Sequence, residues 1–145
     1  MEIKVVGQED LLAVDELLSR THIHTSVIDG RCIGLYSKEQ IIGCCCYKMN
    51  PNAIVIDELF VAEKWRRRGL AYALMQNSVE IAKSHYSHEV VIVVVGSKHH
   101  QRKMLPLLMN KIGIKLNDNF KYYINEKNLL RKAKKAIKRY NVLKV

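Results

Sequence analysis

The sequence predicts an α/β (α+β) domain, a central sheet covered by helices, and three observations carry that expectation. A strand-then-helix opening leads into a three-strand antiparallel meander. An amphipathic helical pattern is followed by an apolar run with no alternation, and a second amphipathic pattern closes the chain.

Residues 2–6 alternate as a strand does, and within 8–20 Leu11, Leu12, Val14, Leu17 and Leu18 fall on a helical period. After a polar stretch from Thr21 to Gly30, segments 32–36 and 40–48 read as strands around the turn Ser37-Lys38-Glu39. Asn50-Pro51-Asn52 is a turn signal, so 53–61 becomes the third strand of the meander. Leu70, Ala71, Leu74, Met75, Ser78, Ile81 and Ala82 keep a 3.6-residue period, which predicts a helix from Gly69 to Ser84. Val90 to Val95 is apolar at every position, so both of its faces are expected to be covered, as in the middle of a sheet. Residues 100–112 are expected to be helical, with Pro106 starting, kinking or ending the helix because it has no N–H to donate, and with Gly113 as the stop. A last strand pair, 114–116 and 120–124, surrounds Asn117-Asp118-Asn119. No repeat or linker divides this stretch, so the expected organisation is a domain over 1–125 and a basic amphipathic helix over 126–145.

The chain of 145 residues is 48% hydrophobic, enough for one domain with a real core. No apolar run approaches the length of a membrane span, and Met1-Glu2-Ile3-Lys4-Val5-Val6 lacks the apolar region of a signal peptide. The expected compartment is the cytoplasm. The formal net charge is +10, and residues 126–145 supply +7 of it, with eight basic residues against Glu126 alone. Leu129, Leu130, Ala133, Ala136, Ile137 and Tyr140 recur at three- and four-residue spacing there, so one apolar stripe should dock while the opposite face is crowded with cations. That face reads as a solvated surface, as a patch for nucleic acid or another polyanion, or as a membrane-surface contact.

The cysteines are Cys32 and the run Cys44-Cys45-Cys46. Adjacent strand residues point to opposite faces, so three consecutive thiolates do not converge on one metal, and no zinc-type spacing is present. They are expected to serve as small apolar core residues, with reduced thiols suiting a cytoplasmic protein. His22, His24, His85, His88, His99 and His100 do not form a helical metal motif with a supporting carboxylate, and no metal is expected.

The chemically informative stretch runs from Ile56 to Ala71, a strand leading through a basic, glycine-containing turn into a helix. The first turn of a helix leaves N–H groups without internal partners and carries the positive end of the dipole, so it holds anions. Gly69 permits close backbone approach, and Arg66, Arg67 and Arg68 add phosphate donors. Neither a Walker loop nor a dinucleotide GxGxxG is present, which argues against nucleoside triphosphates and NAD.

Arg66-Arg67-Arg68-Gly69-Leu70-Ala71, preceded by Leu59-Phe60-Val61, resembles the GCN5-related N-acetyltransferases, whose turn has the pattern Gln/Arg-x-x-Gly-x-Gly/Ala. The order of elements over 1–125 resembles that family too. The resemblance implies the GNAT fold, a mixed but mostly antiparallel twisted sheet flanked by helices, here with the basic C-terminal helix added. It implies acetyl-coenzyme A as donor, with the backbones of Phe60 and Val61 pairing with the pantetheine arm. Arg66, Arg67, Arg68, Gly69, Leu70 and Ala71 would wrap the pyrophosphate.

The implied activity is transfer of acetyl to a primary amine, which needs a base, an oxyanion donor and a proton for the departing thiolate. Glu58 is the expected catalytic base, its carboxyl pKa raised by half-burial on the sheet, or else it is a structural ion-pair partner. Asp57 is expected on the opposite face of the strand. The Val61 N–H is the oxyanion donor by resemblance. Where many family members place a proton-donating Tyr, this chain has Met109. Water, His99 or His100, or Tyr122 or Tyr123 would then replace it, unless no acid is used. The cationic surface favours an acceptor amine on an acidic protein or peptide, or on aminoacyl-tRNA. The alternative is a binding or structural protein of the same fold with weak or no catalysis, its basic helix holding nucleic acid or a protein partner. A homodimer is compatible with either.

Overall fold

The computed structural model describes residues 1–18, 27–96, 101–117 and 121–144. In chain order the elements are β1 (Glu2–Val5), α1 (Leu11–Leu18), β2 (Cys32–Ser37), β3 (Gln40–Met49), β4 (Ala53–Val61), α2 (Leu70–Lys83), β5 (Val91–Val95), α3 (Gln101–Met109), β6 (Gly113–Asn117), β7 (Lys121–Ile124), α4 (Glu126–Tyr140) and β8 (Leu143–Lys144). The strands form one eight-stranded sheet in the order β6-β7-β5-β4-β3-β2-β1-β8. Its pairs are antiparallel except β4 with β5 and β1 with β8, so the sheet is mixed and mostly antiparallel.

The expected meander is β2-β3-β4, its first turn made by Lys38 and Glu39, both with positive φ. Such a two-residue turn matches the twist of its strands even without the usual Asn or Gly. The apolar run of β5 behaves as expected for a sheet interior: Ile92, Val93 and Val94 are buried between β4 and β7, although Val91 is exposed.

Two clusters fill the faces of the sheet. Ile3, Leu35, Cys45, Tyr47, Ile56, Leu74, Met75 and Tyr122 belong to the larger one, on the α2 side, together with Leu105 and Met109 of α3. Val6, Val14, Cys32, Tyr36, Cys44 and Cys46 form the smaller one, with Leu11 and Leu17 of α1. Pro106 sits inside α3 rather than at either end. The helix ends at Met109, short of the expected stop at Gly113, and that glycine instead opens β6, where an added Cβ would collide with the Tyr123 carbonyl of β7.

The basic helix is part of the larger core. Leu129, Ala133 and Ala136 of α4 are buried, and Leu129, Ala133 and Val142 share a cluster with Ile3 and Leu74. The helix runs antiparallel to α2, with Lys83 Nζ 2.8 Å from Glu126 Oε1 at one end and Ala136 against Gly69 at the other. Burying one Leu is worth roughly 1.5–3 kcal/mol and an exposed ion pair at most about 1, so the apolar stripe does the docking. Asn125 caps the helix start by accepting from the Asn128 N–H at 3.0 Å, and left-handed Asn141 ends it. The chain then adds β8 beside β1, an element too short to leave a sequence pattern.

Candidate functional site

The site is shaped by two irregularities in the middle of the sheet. Cys46 lies opposite Glu58 while Tyr47 lies opposite Ile56, so Asp57 is an extra residue in β4, a bulge. Parallel pairing of β4 with β5 runs from Ala53–Val91 to Ile56–Val94 and stops there, while β4 continues to Val61. The two strands therefore fork directly after the bulge, and among the described residues β4 from Glu58 onward keeps only β3 as a paired neighbour.

The phase of the ladder shows which backbone groups face the fork. Ala62 N–H donates to the Ile42 carbonyl at 2.8 Å, which makes that pair hydrogen-bonded. Alternation along an antiparallel pair then turns the backbone of Phe60, opposite Cys44, toward β3, and the backbones of Val61 and Leu59, opposite Gly43 and Cys45, toward the open side. The sequence does not single out Leu59 for this role, because the phase of a ladder is encoded by no local pattern.

Glu58 and Phe60 share the sheet face of Cys46 and Cys44, the face covered by α1. Glu58 is not half-buried but almost fully so, at 3% exposure. Asp57 corrects the alternation argument: its Oδ2 lies 3.5 Å from Nζ of Lys48, a residue on the same face of β3 as Cys46, so the bulge brings both carboxylates toward one side.

Beyond Val61 a short 3-10 turn, Glu63–Trp65, leads to the basic loop. Arg66 Nε donates to the Val61 carbonyl at 2.7 Å, and its guanidinium lies over the Phe60 ring at 5.2 Å, so Arg66 ties the loop to the end of β4. Arg67 and Gly69 both take positive φ, 63° and 78°. Gly69 begins α2 without a side-chain cap, and its carbonyl accepts from Tyr72 and Ala73. The amides of Leu70 and Ala71 precede the first intrahelical bond and are available to an anion. Arg67 and Arg68 are exposed, and Arg68 stacks over Trp65 at 5.2 Å and Tyr140 of α4 at 5.9 Å. Thus α4 borders the arginine turn, and the two concentrations of positive charge in the sequence adjoin in space.

Met109 is fully buried in the larger core. Tyr122 is also fully buried, opposite Val94 at the point where β4 and β5 part, and its hydroxyl has no hydrogen-bond partner among the described residues. Burial raises its pKa above the ordinary tyrosine value, so it is a protonated hydroxyl at neutral pH. Tyr123 points to the other face and is 46% exposed. His22, His24, His99 and His100 lie outside the described residues, as does most of the segment 21–30.

Three of the cysteines converge. The run itself splits as alternation requires, Cys45 to the α2 side and Cys44 with Cys46 to the α1 side. Cys32 of β2 lies directly opposite Cys46, however, and the sulfurs of Cys32, Cys44 and Cys46 lie within 4.8 Å of one another. Adjacency in the chain is the wrong spacing to weigh; the Cys-x-Cys pair plus a residue in register across the hairpin carries the signal.

A family model described as the acetyltransferase (GNAT) family matches residues 8–105. A search of curated proteins finds no match. Among solved structures, the chain is similar to PaiA N-acetyltransferase from Thermoplasma acidophilum in complex with coenzyme A, with 11% identity, a TM-score of 0.65, and coverage of 84% of this chain and 95% of that one. It is similar to ribosomal-protein-alanine N-acetyltransferase from Brucella melitensis biovar Abortus 2308, at 16% identity and a TM-score of 0.59, covering 81% and 94%. N-acetylglutamate synthase from Neisseria gonorrhoeae, complexed with coenzyme A and N-acetyl-glutamate, matches at 12% identity and a TM-score of 0.58. There the match covers 70% of this chain and only 26% of that one. At such identities the structures establish a shared fold, and the family match over most of the sequence agrees with it: the chain belongs to the acetyltransferase (GNAT) family.

Proposed function

We propose that the protein is an N-acetyltransferase that moves an acetyl group to a primary amine. The observation that carries this reading is the fork, an open strand edge that ends in a basic turn at a helix N-terminus. Acetyl-coenzyme A is the donor used by the family and would supply an activated thioester there. The residues fit it. An extended amide-bearing arm matches the outward backbones of Leu59 and Val61, and a diphosphate matches the amides at the start of α2 with the left-handed Arg67 and Gly69. Among Arg66 to Ala71, Arg67 and Arg68 meet phosphate, while Arg66 positions the loop through Val61.

With the thioester bound, Glu58 would accept the proton of the attacking nitrogen, directly or through a water, as the new C–N bond forms. The Val61 N–H would donate to the acetyl oxygen where negative charge develops. Tyr122 would donate the proton that the departing sulfur takes up as the C–S bond breaks. Met109 has no proton to give, and Tyr122 supplies the hydroxyl whose lack would favour a catalytically silent binder.

The acceptor is an amine carried by an acidic protein or by aminoacyl-tRNA. Lys127, Arg131, Lys134, Lys135 and Lys138 are exposed on the side of α4 opposite Leu129, Ala133 and Ala136, a stripe about 16 Å long. Such a field speeds encounter with polyanions and slows encounter with polyamines. The deciding experiment is calorimetry with acetyl-coenzyme A, followed by a transfer screen against an amine panel including charged tRNA and a protein lysate, read by mass spectrometry. Acetylated protein or aminoacyl-tRNA is the expected product. Absence of both cofactor binding and acetylated product would overturn the reading.

A further inference from the structure

We propose that Cys32, Cys44 and Cys46 form an all-sulfur site for a soft monovalent metal ion of the copper(I) class. The proposal does not rest on the acetyl-transfer reading, and the site lies on the opposite side of β3 from Cys45, on the face that Glu58 also occupies. Its geometry follows from hairpin register. The Tyr47 N–H donates to the Arg31 carbonyl at 3.1 Å, so the next pair, Cys32 with Cys46, is a non-hydrogen-bonded pair, whose side chains approach most closely. Cys44 comes from the same face of β3, one alternation away. All three side chains are fully buried among Val6, Val14, Val27, Tyr36 and Ile41.

The donor set selects the ion. Three sulfurs lie within 4.8 Å of one another, and among the described residues no imidazole or carboxylate joins the group. Calcium and magnesium take oxygen ligands, and structural zinc takes four ligands, so three soft donors in an apolar pocket suit a low-coordinate thiophilic ion. A metal–sulfur bond of about 2.3 Å in a trigonal plane sets the sulfurs about 4 Å apart, within reach of small side-chain rotations.

Binding exchanges thiol protons for sulfur–metal bonds, the protons passing to solvent, with no change of oxidation state.

The test is an anaerobic titration of the full chain with copper(I) against a chromophoric copper(I) chelator, repeated with zinc(II). One copper(I) per chain is expected to leave the chelator. Affinity should fall roughly tenfold or more in Cys32→Ser and Cys46→Ser and stay unchanged in Cys45→Ser. Failure of the wild-type chain to compete, equal loss in Cys45→Ser, or tighter binding of zinc(II) would each overturn the proposal. Because a buried serine can unfold the variant, X-ray absorption on the wild-type copper(I) complex gives a second readout. Three sulfur scatterers support the site; nitrogen or oxygen bound to the metal refutes it.

Discussion

A Cβ placed on Gly69 would stand 3.2 Å from the Cβ of Ala136, so the start of α2 and the last turns of α4 meet at two of the smallest side chains in the protein. The arginine turn therefore rests on the basic helix. Gly69→Ala adds left-handed strain and crowds α4, while Ala136→Leu inserts bulk from the other side. Overpacking costs typically about 1–3 kcal/mol, and both variants are expected to show that decrease in stability in urea denaturation and to bind acetyl-coenzyme A more weakly by calorimetry. Unchanged values in both would refute the coupling of the turn to the helix.

Glu58→Gln keeps the shape of a buried side chain and removes its capacity to take a proton. Turnover should drop about 10²- to 10⁴-fold, with the dissociation constant of acetyl-coenzyme A nearly untouched. Rapid-quench kinetics at saturating acceptor checks this, and wild-type turnover would take Glu58 out of the mechanism.

Arg66 and Arg68 act differently although they share the loop. Arg66→Ala loses the bond to the Val61 carbonyl and the Phe60 stacking, so it should disturb the end of β4 and lower turnover as well as affinity. Arg68→Ala, with its side chain exposed over Trp65 and Tyr140, should weaken cofactor binding alone. Identical kinetic profiles for the two would contradict the separate roles.

Deleting 126–145 would strip Leu129 and Ala133 from the core, so truncation is the wrong test of the cationic face. Changing Lys127, Arg131, Lys134, Lys135 and Lys138 to Gln leaves the buried stripe intact. If that face binds nucleic acid, the slope of log affinity against log salt should shrink by about 0.7 to 0.9 for each phosphate no longer neutralised. A slope identical to wild type in fluorescence anisotropy would reject it.

Tyr36, Tyr47, Tyr72 and Tyr122 all have pKa values raised by burial, and Tyr36 also donates to Asp10 Oδ2 at 2.8 Å. A raised folded-state pKa means that the native state holds its proton while the unfolded chain releases it. Their contribution is complete below the unfolded value of about 10 and is lost as pH rises above it. Thermal unfolding should show a flat Tm up to that pH and a steep decline beyond. Tyr36→Phe should shallow the decline.

The segment from β4 to α2 was legible because its information is local: a strand pattern, three arginines, a glycine and a helical period in one run. The bulge at Asp57, the outward phase of Leu59 and the meeting of Cys32 with Cys46 were not, since each depends on which residue of a neighbouring strand stands opposite. One-residue differences in register leave composition and periodicity unchanged. The apolar stripe of α4 announced that the helix docks, but not that it docks beside the arginines. That relation joins elements separated by four intervening ones.

β8 closes the sheet against β1, and α4 closes the core against α2, so the chain's most distant segments are also direct neighbours. Pairings across such separations are formed late, because the loop entropy must be overcome before they contribute. The expected order of folding therefore runs from the local hairpins toward the α4 seam. A chain stalled before that last step would hold a formed β2–β3–β4 meander but an unsupported arginine turn, and recovery of cofactor binding should be the slowest signal in refolding.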